Sequence, residues 1–233
     1  MYSRFKVLGI GLAIAGIAFL GVGGYTYLKT QEGAGSLKAF SAAQNVKLAY
    51  DGQGQLNIGN PKDTAAILAL LKNDWGYSVD ASELNPNDPV VNTASEYMVQ
   101  MATIAYHTLS GTQTVVLPQT VTTNSGKVYE AGTYQVPVAG RYWSGFDRTN
   151  PIDAKVREQA WTGTAHALIA ELGVGSVTAS ALQIGLGTAA ITAAMGLVFL
   201  LMGIGLVWAA RPAAVTERAS VRAPAPAPAP AAA

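Results

Sequence analysis

The chain has 233 residues, of which 50% are hydrophobic and 12% are charged, and its formal net charge is +1. A soluble domain carries about 25% charged residues, so this composition favours a membrane protein. The small net charge gives no argument for nucleic acid binding. The lack of cysteine excludes disulfides, cysteine-based metal sites and cysteine nucleophiles.

The first apolar segment covers residues 7–28, VLGIGLAIAGIAFLGVGGYTYL, and carries no charge. A helix needs about 20 apolar residues to cross a bilayer, so we expect a transmembrane helix here, after a cytoplasmic N-terminus of residues 1–6. A cleaved signal peptide is the alternative, because Arg4 and Lys6 suit both interpretations. The stretch is too long for a typical signal peptide and no clear A-x-A site follows it. We therefore favour an uncleaved anchor, with Tyr25 and Tyr27 at the membrane interface.

Residues 29–180 form the middle of the chain and are enough for one domain with its own core. The segment NVKLAYDGQGQLNIG (residues 45–59) has alternating apolar residues on both sides of a glycine-containing turn, which predicts a β-hairpin. The segment TVVLPQTVTTNSGKVYEAGTYQVPV (residues 114–138) predicts two or three strands. Pro118 and Pro137 are expected at edges or strand ends, because proline cannot donate to the ladder.

Three helix starts in this middle region share one device, a capping side chain followed by proline at the first helical position. The pairs are Asn60-Pro61, Asp88-Pro89 and Asn150-Pro151. They predict helices over residues 61–73, 89–109 and 151–172, so we expect an α+β domain. The two glycines of ELGVGS (residues 171–176) are expected to allow a kink, since each costs about 1 kcal/mol in a helix interior.

The second apolar segment, residues 181–210, contains no charged residue and no histidine. Its apolar side chains outweigh its few polar ones on insertion scales, so we predict a transmembrane helix over residues 184–209. Gly185, Ala189 and Ala193 recur every four residues. The first segment repeats this spacing, at Gly9 and Ala13 and at Gly11 and Ala15. Small residues let helix backbones approach closely, which predicts a helix-packing interface, either between the two spans or with another subunit.

Basic residues near the two spans predict the orientation of the chain in the plasma membrane. Arg4 and Lys6 precede the first span, and the positive-inside rule places such residues in the cytoplasm. The second span is followed by three arginines, Arg211, Arg218 and Arg222. We therefore expect both termini in the cytoplasm and residues 29–180 outside it. Three lysines after the first span oppose this orientation, namely Lys29, Lys38 and Lys47. The Ala/Pro-rich tail, residues 211–233, is expected to be disordered.

The two histidines limit the metal chemistry open to the chain. A ring-cleaving iron site usually needs two histidines and one carboxylate. Neither His107 nor His166 has a second histidine one helical turn away. A cluster with Glu96 and Glu158 would require two predicted helices to pair. We expect surface or capping roles for these residues, no catalytic residues and no enzyme activity.

Copper is the alternative to a chain without a cofactor. Met98 and Met101 lie one helical turn apart and His107 follows them. Thioether and imidazole ligands suit Cu(I), so the three residues are a candidate metal site. The competing interpretation is that the methionines fill the core side of an amphipathic helix.

The segment DRTNP (residues 147–151) starts a helix that leads toward GLGTAAITAAMGLVFLLMGIGL (residues 185–206). With the segment YHTLSG (residues 106–111), these features resemble a family of uncharacterised two-span actinobacterial membrane proteins. Some members carry an automatic label of "aromatic ring-opening dioxygenase". The likeness covers the first span and the last third of the chain, while the strand-rich residues 112–138 depart from the shorter members. The family has no established activity, so the resemblance implies a two-span topology and not a reaction.

Two hypotheses of function follow from the sequence. The first is a non-catalytic accessory or assembly subunit of a larger integral-membrane complex, for which an oxidoreductase is a candidate. Its partners would be the lipid bilayer and other membrane protein subunits. The second is an independent, membrane-anchored extracytoplasmic module that binds copper, a lipid or cell-envelope material.

Overall fold

The structure is a computed structural model that describes residues 2–211. Two long apolar helices, α1 (Tyr2–Gln44) and α5 (Gly163–Ala209), flank a smaller region of helices and strands. Both have the length and composition needed to cross a membrane, and most of their apolar residues are exposed. A core helix of a soluble protein would be covered, so this exposure favours membrane insertion. The predicted tail beyond Arg211, with Arg218 and Arg222, lies outside the described residues.

The described residues form two compact units, one made of residues 2–24 and 191–211, the other of Tyr25–Ala190. In the first unit, α1 and α5 run antiparallel and touch through their backbones. A Cβ atom added to Gly16 would lie 2.5 Å from the backbone nitrogen of Leu200, and a Cβ atom on Gly203 would lie 2.5 Å from that of Ala13. Real Cβ atoms do not come this close to other atoms, so glycine is what permits the contact.

The contacting glycines recur every seven residues, at Gly9 and Gly16 in α1 and at Gly196 and Gly203 in α5. Seven residues are close to two helical turns, so each pair lies on one face of its helix. The small-residue pattern predicted for the first span is used in part. Gly9 lies in the contact, whereas no atom of the described residues is within 4 Å of a Cβ placed on Gly11.

The core of the second unit is formed by α2 (Pro61–Ala69), α3 (Ala94–Ser110), strand β1 (Thr112–Leu117) and α4 (Pro151–Ala160). Helix α2 packs against α3, and α4 packs against β1. Fully burying one aliphatic side chain stabilises a fold by about 1.5–3 kcal/mol, so the buried cluster holds these elements together. Its most deeply buried aliphatic members are Ile67, Leu71, Val99, Val115, Val138 and Val156.

Two of the three predicted helix starts are confirmed. The Asn60 side chain accepts a hydrogen bond from the backbone nitrogen of Asp63 at the start of α2, which is continued by a π-helical turn, Leu70–Asp74. The Asn150 side chain caps α4 by accepting from Ile152.

The predicted start at Pro89 is wrong, because the helix begins five residues later. Residue Val90, next to Pro89, is extended and forms a bridge with Lys47. Helix α3 starts at Ala94, after a capping box. The Thr93 side chain accepts a hydrogen bond from the backbone N–H of Glu96, and the Glu96 side chain accepts one from the backbone N–H of Thr93. The S/T-x-x-E pattern was present in the sequence, and its two reciprocal bonds outweigh the Asp-Pro signal.

The helix predicted over residues 151–172 is two helices. Helix α4 ends at Ala160, and α5 begins at Gly163 after Thr162, whose hydroxyl accepts from the backbone nitrogen of Ala165. Helix α5 runs without a break through residues 171–176, where the two glycines were expected to allow a kink. Gly173 and Gly175 give room to side chains from α3.

The strands form an antiparallel ribbon. Strand β1 pairs with β4 (Gly132–Pro137), and the short β2 (Val121–Thr122) pairs with β3 (Val128–Tyr129). Pro118 follows β1 and Pro137 ends β4, so the expectation for both prolines is confirmed. The predicted hairpin at residues 45–59 is a tight turn with one bridge, Tyr50–Leu56.

Gly16→Leu is expected to separate the two helices of the first unit, because its side chain would need the space of the Leu200 backbone. Cysteines placed at Phe19 and Phe199, whose ring centroids are 5.6 Å apart, report the contact by cross-linking in an otherwise cysteine-free chain. We expect a lower cross-linking yield and a loss of about 1–3 kcal/mol in the free energy of unfolding. Gly11→Leu is the matched control, and equal yields for the two variants would contradict the packing argument.

Candidate functional site

The three candidate copper ligands do not share one face of α3. Met98 and Met101 are half-buried and pack against the core, whereas His107 is exposed. Nine residues separate Met98 from His107, which is about 13 Å along the axis and half a turn away in direction. The helix therefore turns the imidazole away from the first thioether, and the geometry gives the copper hypothesis no support.

Glu96 serves as a helix cap. Its side chain is 1% exposed, and its Oε2 accepts hydrogen bonds from the backbone nitrogens of Asn92 and Thr93 at 3.0 and 3.1 Å. Glu158 is exposed on α4. Among the described residues, no group of three or more histidine, aspartate or glutamate side chains is placed to hold a metal ion.

His166 belongs to an aromatic group at the start of α5. Its ring centroid lies 5.0 Å from that of Trp143 and 5.7 Å from that of Trp161. Trp161 is buried and donates its indole N–H to the carbonyl oxygen of Arg141 at 3.0 Å. These contacts fix the connection between α4 and α5, so His166 has a packing role.

The predicted helix-packing residues lie partly against the chain itself. A Cβ atom on Gly185 would lie 2.8 Å from Thr30 Oγ1 of α1, and Ala189 is 2% exposed. Ala193, in the first unit, is half-buried. Ala189 is thus covered without a second protein, and Gly185 is half-buried.

A cleft of about 730 Å³ lies in the second unit between α1, α3 and α5. We name it the helix cleft. Small-molecule sites in proteins have volumes of about 300–1,000 Å³ and mostly apolar walls with a few polar groups. The helix cleft fits this description. Its apolar walls come from Leu37, Phe40, Val46, Val91, Ile104, Leu168, Leu172 and Val174.

Tyr97 joins the three helices around the helix cleft. Its hydroxyl lies 2.7 Å from Ser41 Oγ of α1. Ser41 donates its own hydrogen to the carbonyl oxygen of Leu37, so Tyr97 is the donor to Ser41. The Tyr97 ring lies directly on Gly175 of α5, where an added Cβ would be 2.5 Å from the ring.

The polar groups of the helix cleft are few. Gln44 and Gln100 contribute amides, Thr178 contributes a hydroxyl and Glu171 contributes a carboxylate. Among the described residues that line the cleft, Glu171 alone carries a formal charge. The arrangement can hold an apolar molecule and can hydrogen-bond a polar group attached to it.

No family model matches the chain, and no curated protein or solved structure is similar enough to indicate a relative. The resemblance to two-span actinobacterial proteins therefore stays an expectation from the sequence.

Sequence reasoning missed the helix cleft because its walls come from three distant segments. The available signal was the pair of glycines in residues 171–176, which we interpreted as a kink. In a helix, a glycine also leaves room for a large side chain from a neighbour. Tyr97 fills that room.

Gly175→Ala is expected to push the Tyr97 ring toward the helix cleft and to destabilise the second unit by about 1–3 kcal/mol, as overpacking does. Gly173→Ala is the matched control, since its Cβ would lie at an ordinary 3.6 Å from Met101 Sδ. It removes a helical glycine and is expected to be neutral or stabilising by up to about 1 kcal/mol. Thermal unfolding of the purified chain measures both, and equal midpoints would refute the ring contact.

The titration of Glu96 is expected to make stability fall with rising pH. Burial raises the pKa of Glu96 above its ordinary value of 4.5, against the lowering effect of the Asn92 and Thr93 backbone N–H groups. The folded state therefore binds the proton more tightly than the unfolded state. This contribution to the free energy of unfolding is full below pH 4.5 and is lost as pH rises through the folded pKa.

Glu96→Gln tests this dependence, because its amide oxygen can accept the same two backbone hydrogen bonds without titrating. The unfolding midpoint of the wild-type chain should drop more between about pH 4 and about pH 7 than that of the variant. Parallel pH profiles would show that Glu96 is not the group responsible.

Proposed function

We propose that this chain is a membrane-anchored, non-catalytic module that binds an apolar ligand in the helix cleft. The observation that carries the proposal is the cleft itself, with its volume of about 730 Å³ and its largely apolar lining. Its ordered wall supports a preformed site, since Tyr97, Ser41 and Gly175 are buried and in contact.

The polar groups of the lining support binding rather than catalysis. General acid–base chemistry needs a positioned proton donor or acceptor next to the reacting group. The Ser41 and Tyr97 hydroxyls are occupied with each other and with the Leu37 carbonyl. The lining carboxylate, Glu171, is exposed.

The proposal places the helix cleft outside the cytoplasm. Arg4 and Lys6 before the first apolar segment and Arg211 after the second support cytoplasmic termini by the positive-inside rule. Residues 29–180 then lie on the extracytoplasmic side of the plasma membrane.

A second candidate function is an accessory or assembly subunit of a larger integral-membrane complex, such as an oxidoreductase. It is favoured by Gly11 and Gly21 of α1 and Gly205 of α5, beside which the described residues leave open space. A helix of another subunit can approach closely at such positions.

The binding proposal predicts that a small apolar photoprobe, an alkyl diazirine, labels α3 at Tyr97 or Ile104 in the purified full-length chain. Val174→Glu should abolish most of this labelling, because a carboxylate in the cleft wall is costly to bring against an apolar ligand. Val177→Glu is the matched control. Val174 is 67% exposed and Val177 is 70% exposed on the same helix, but only Val174 lines the cleft.

Two outcomes contradict the binding proposal. One is a wild-type chain that takes no label in α3. The other is equal loss of label in both glutamate variants. A stoichiometric partner protein recovered in mild detergent, together with an unlabelled α3, would favour the accessory-subunit candidate.

The proposed orientation places Ala233 in the cytoplasm. A reporter that is active only in the cytoplasm should therefore be active when fused after Ala233, and a reporter that is active only after export should be inactive there. The opposite result is expected for insertions in the turn at residues 123–127, between β2 and β3. There the reporter that requires export should be active and the reporter that requires the cytoplasm should be inactive. Inverted signals from the two fusions would overturn the proposed topology.

A further inference from the structure

We infer that the occupant of the helix cleft is the acyl chain of a membrane lipid, with its headgroup at the end of the cleft marked by Gln44, Gln100 and Glu171. This inference rests on the proposed function and adds the chemical class of the ligand and its direction in the site.

The direction follows from the two helices that line the cleft on either side. In the second unit, a Cβ on Gly33 of α1 would touch Leu182 of α5, and a Cβ on Gly185 would touch Thr30. The two helices therefore run antiparallel along each other. Leu37 and Thr178 mark one end of the cleft, and Gln44 with Leu168 marks the other.

Within the second unit, the Leu37 end is the one nearer Leu28 and Ile184, the residues at which the predicted spans end and begin. Leu37 lies nine residues beyond Leu28, or about 14 Å along α1, and Gln44 lies about 24 Å beyond it. On α5, Thr178 and Leu168 precede Ile184 by about 9 and 24 Å. One end of the cleft is thus close to the expected membrane surface on both helices, and the other end is far from it on both.

The charged and amide groups of the lining lie toward one end of the same axis. Gln44 and Glu171 lie at the far end and Gln100 lies toward it, whereas the near end has the hydroxyl of Thr178 and no charge. Apolar side chains line the whole length of the cleft, from Leu37 to Leu168. A lipid of the outer leaflet has its chain toward the bilayer and its headgroup away from it. A lipid drawn outward along the cleft would keep that direction, with its chain along the apolar walls and its headgroup beside Gln44 and Glu171.

Four large apolar side chains of the cleft lining are exposed, and two of them, Phe40 and Val174, are at least half exposed. Phe40 of α1 is 50% exposed and Val174 of α5 is 67% exposed, and both line the cleft. Both lie outside the predicted spans, so bilayer hydrocarbon would not cover them. A chain in the cleft would contact both.

The charge at the far end selects among headgroups. Glu171 is the charged residue of the described lining, and its carboxylate is accompanied by the amides of Gln44 and Gln100. These groups favour a headgroup that carries an ammonium or hydroxyl donor and disfavour a purely anionic phosphate.

The test uses the full-length chain in phosphatidylcholine vesicles that contain phosphatidylethanolamine with a photoreactive diazirine in its acyl chain. Helix α3 is not a predicted span, so label on Tyr97 or Ile104 requires a lipid in the cleft. Val174→Glu should reduce this label at least about fivefold, because a carboxylate in the wall opposes hydrocarbon. Val177→Glu should leave it unchanged.

A second probe, with the diazirine in the headgroup, should label the segments that hold Gln44, Gln100 or Glu171. Replacing it with photoreactive phosphatidic acid should lower cleft labelling. Glu171→Gln should lower the ratio of phosphatidylethanolamine label to phosphatidic acid label by about two- to fivefold, as expected for one exposed charge pair.

The labelling results distinguish failure of the lipid inference from failure of the proposed function. Headgroup label at Leu37 and Thr178 would overturn the direction. A cleft that takes the alkyl diazirine but no lipid label on α3 would overturn the inference and leave the proposed function standing. If neither probe labels α3, both are overturned.

Discussion

The hydroxyl of Tyr97 donates to Ser41 on one helix while the Tyr97 ring lies against Gly175 on another. Both contacts are needed together. A buried hydroxyl left without a partner costs about 1–3 kcal/mol, so α1 must bring Ser41 to this position. The ring needs the space above Gly175, so α5 must present glycine there. The second unit gains its three-helix wall from this one side chain of α3.

Close packing at glycine also joins the helices of the first unit, where no hydrogen bond of the described residues accompanies the glycine contacts. Backbone contact at Gly16 and Gly203 replaces side-chain interdigitation, and dispersion between many close atoms supplies the attraction. In lipid, where there is no hydrophobic drive between helices, small residues are the usual means of such packing. Glycine therefore has a different role in each unit. In the first unit it allows two helix backbones to touch, and in the second unit it leaves space for the Tyr97 ring.

Local signals in the sequence predicted local features well. The Asn60-Pro61 and Asn150-Pro151 caps and the two long apolar helices were evident because each depends on neighbouring residues only. Competing local signals caused the error at Asp88-Pro89, where the Thr93–Glu96 box took the helix start. The break at Trp161 was missed because the residues around it have a continuous helical pattern, and Trp161 stacks on Tyr142, a residue outside both helices. The helix cleft depends on contacts among three distant segments, which periodicity does not record.

The separation of those contacts along the chain has a consequence for how the protein is made. Ser41 and Tyr97 are 56 residues apart, and Ser176, which donates to the Ala94 carbonyl, is 82 residues from its partner. The β-ribbon and the pairing of α2 with α3 join nearby segments, and such contacts form early. The third wall of the cleft belongs to α5, which leaves the ribosome after α1 and α3. During synthesis the Tyr97 ring therefore lacks its packing contact with Gly175 until α5 has been made. The cleft is complete only when α5 packs against α1 and α3.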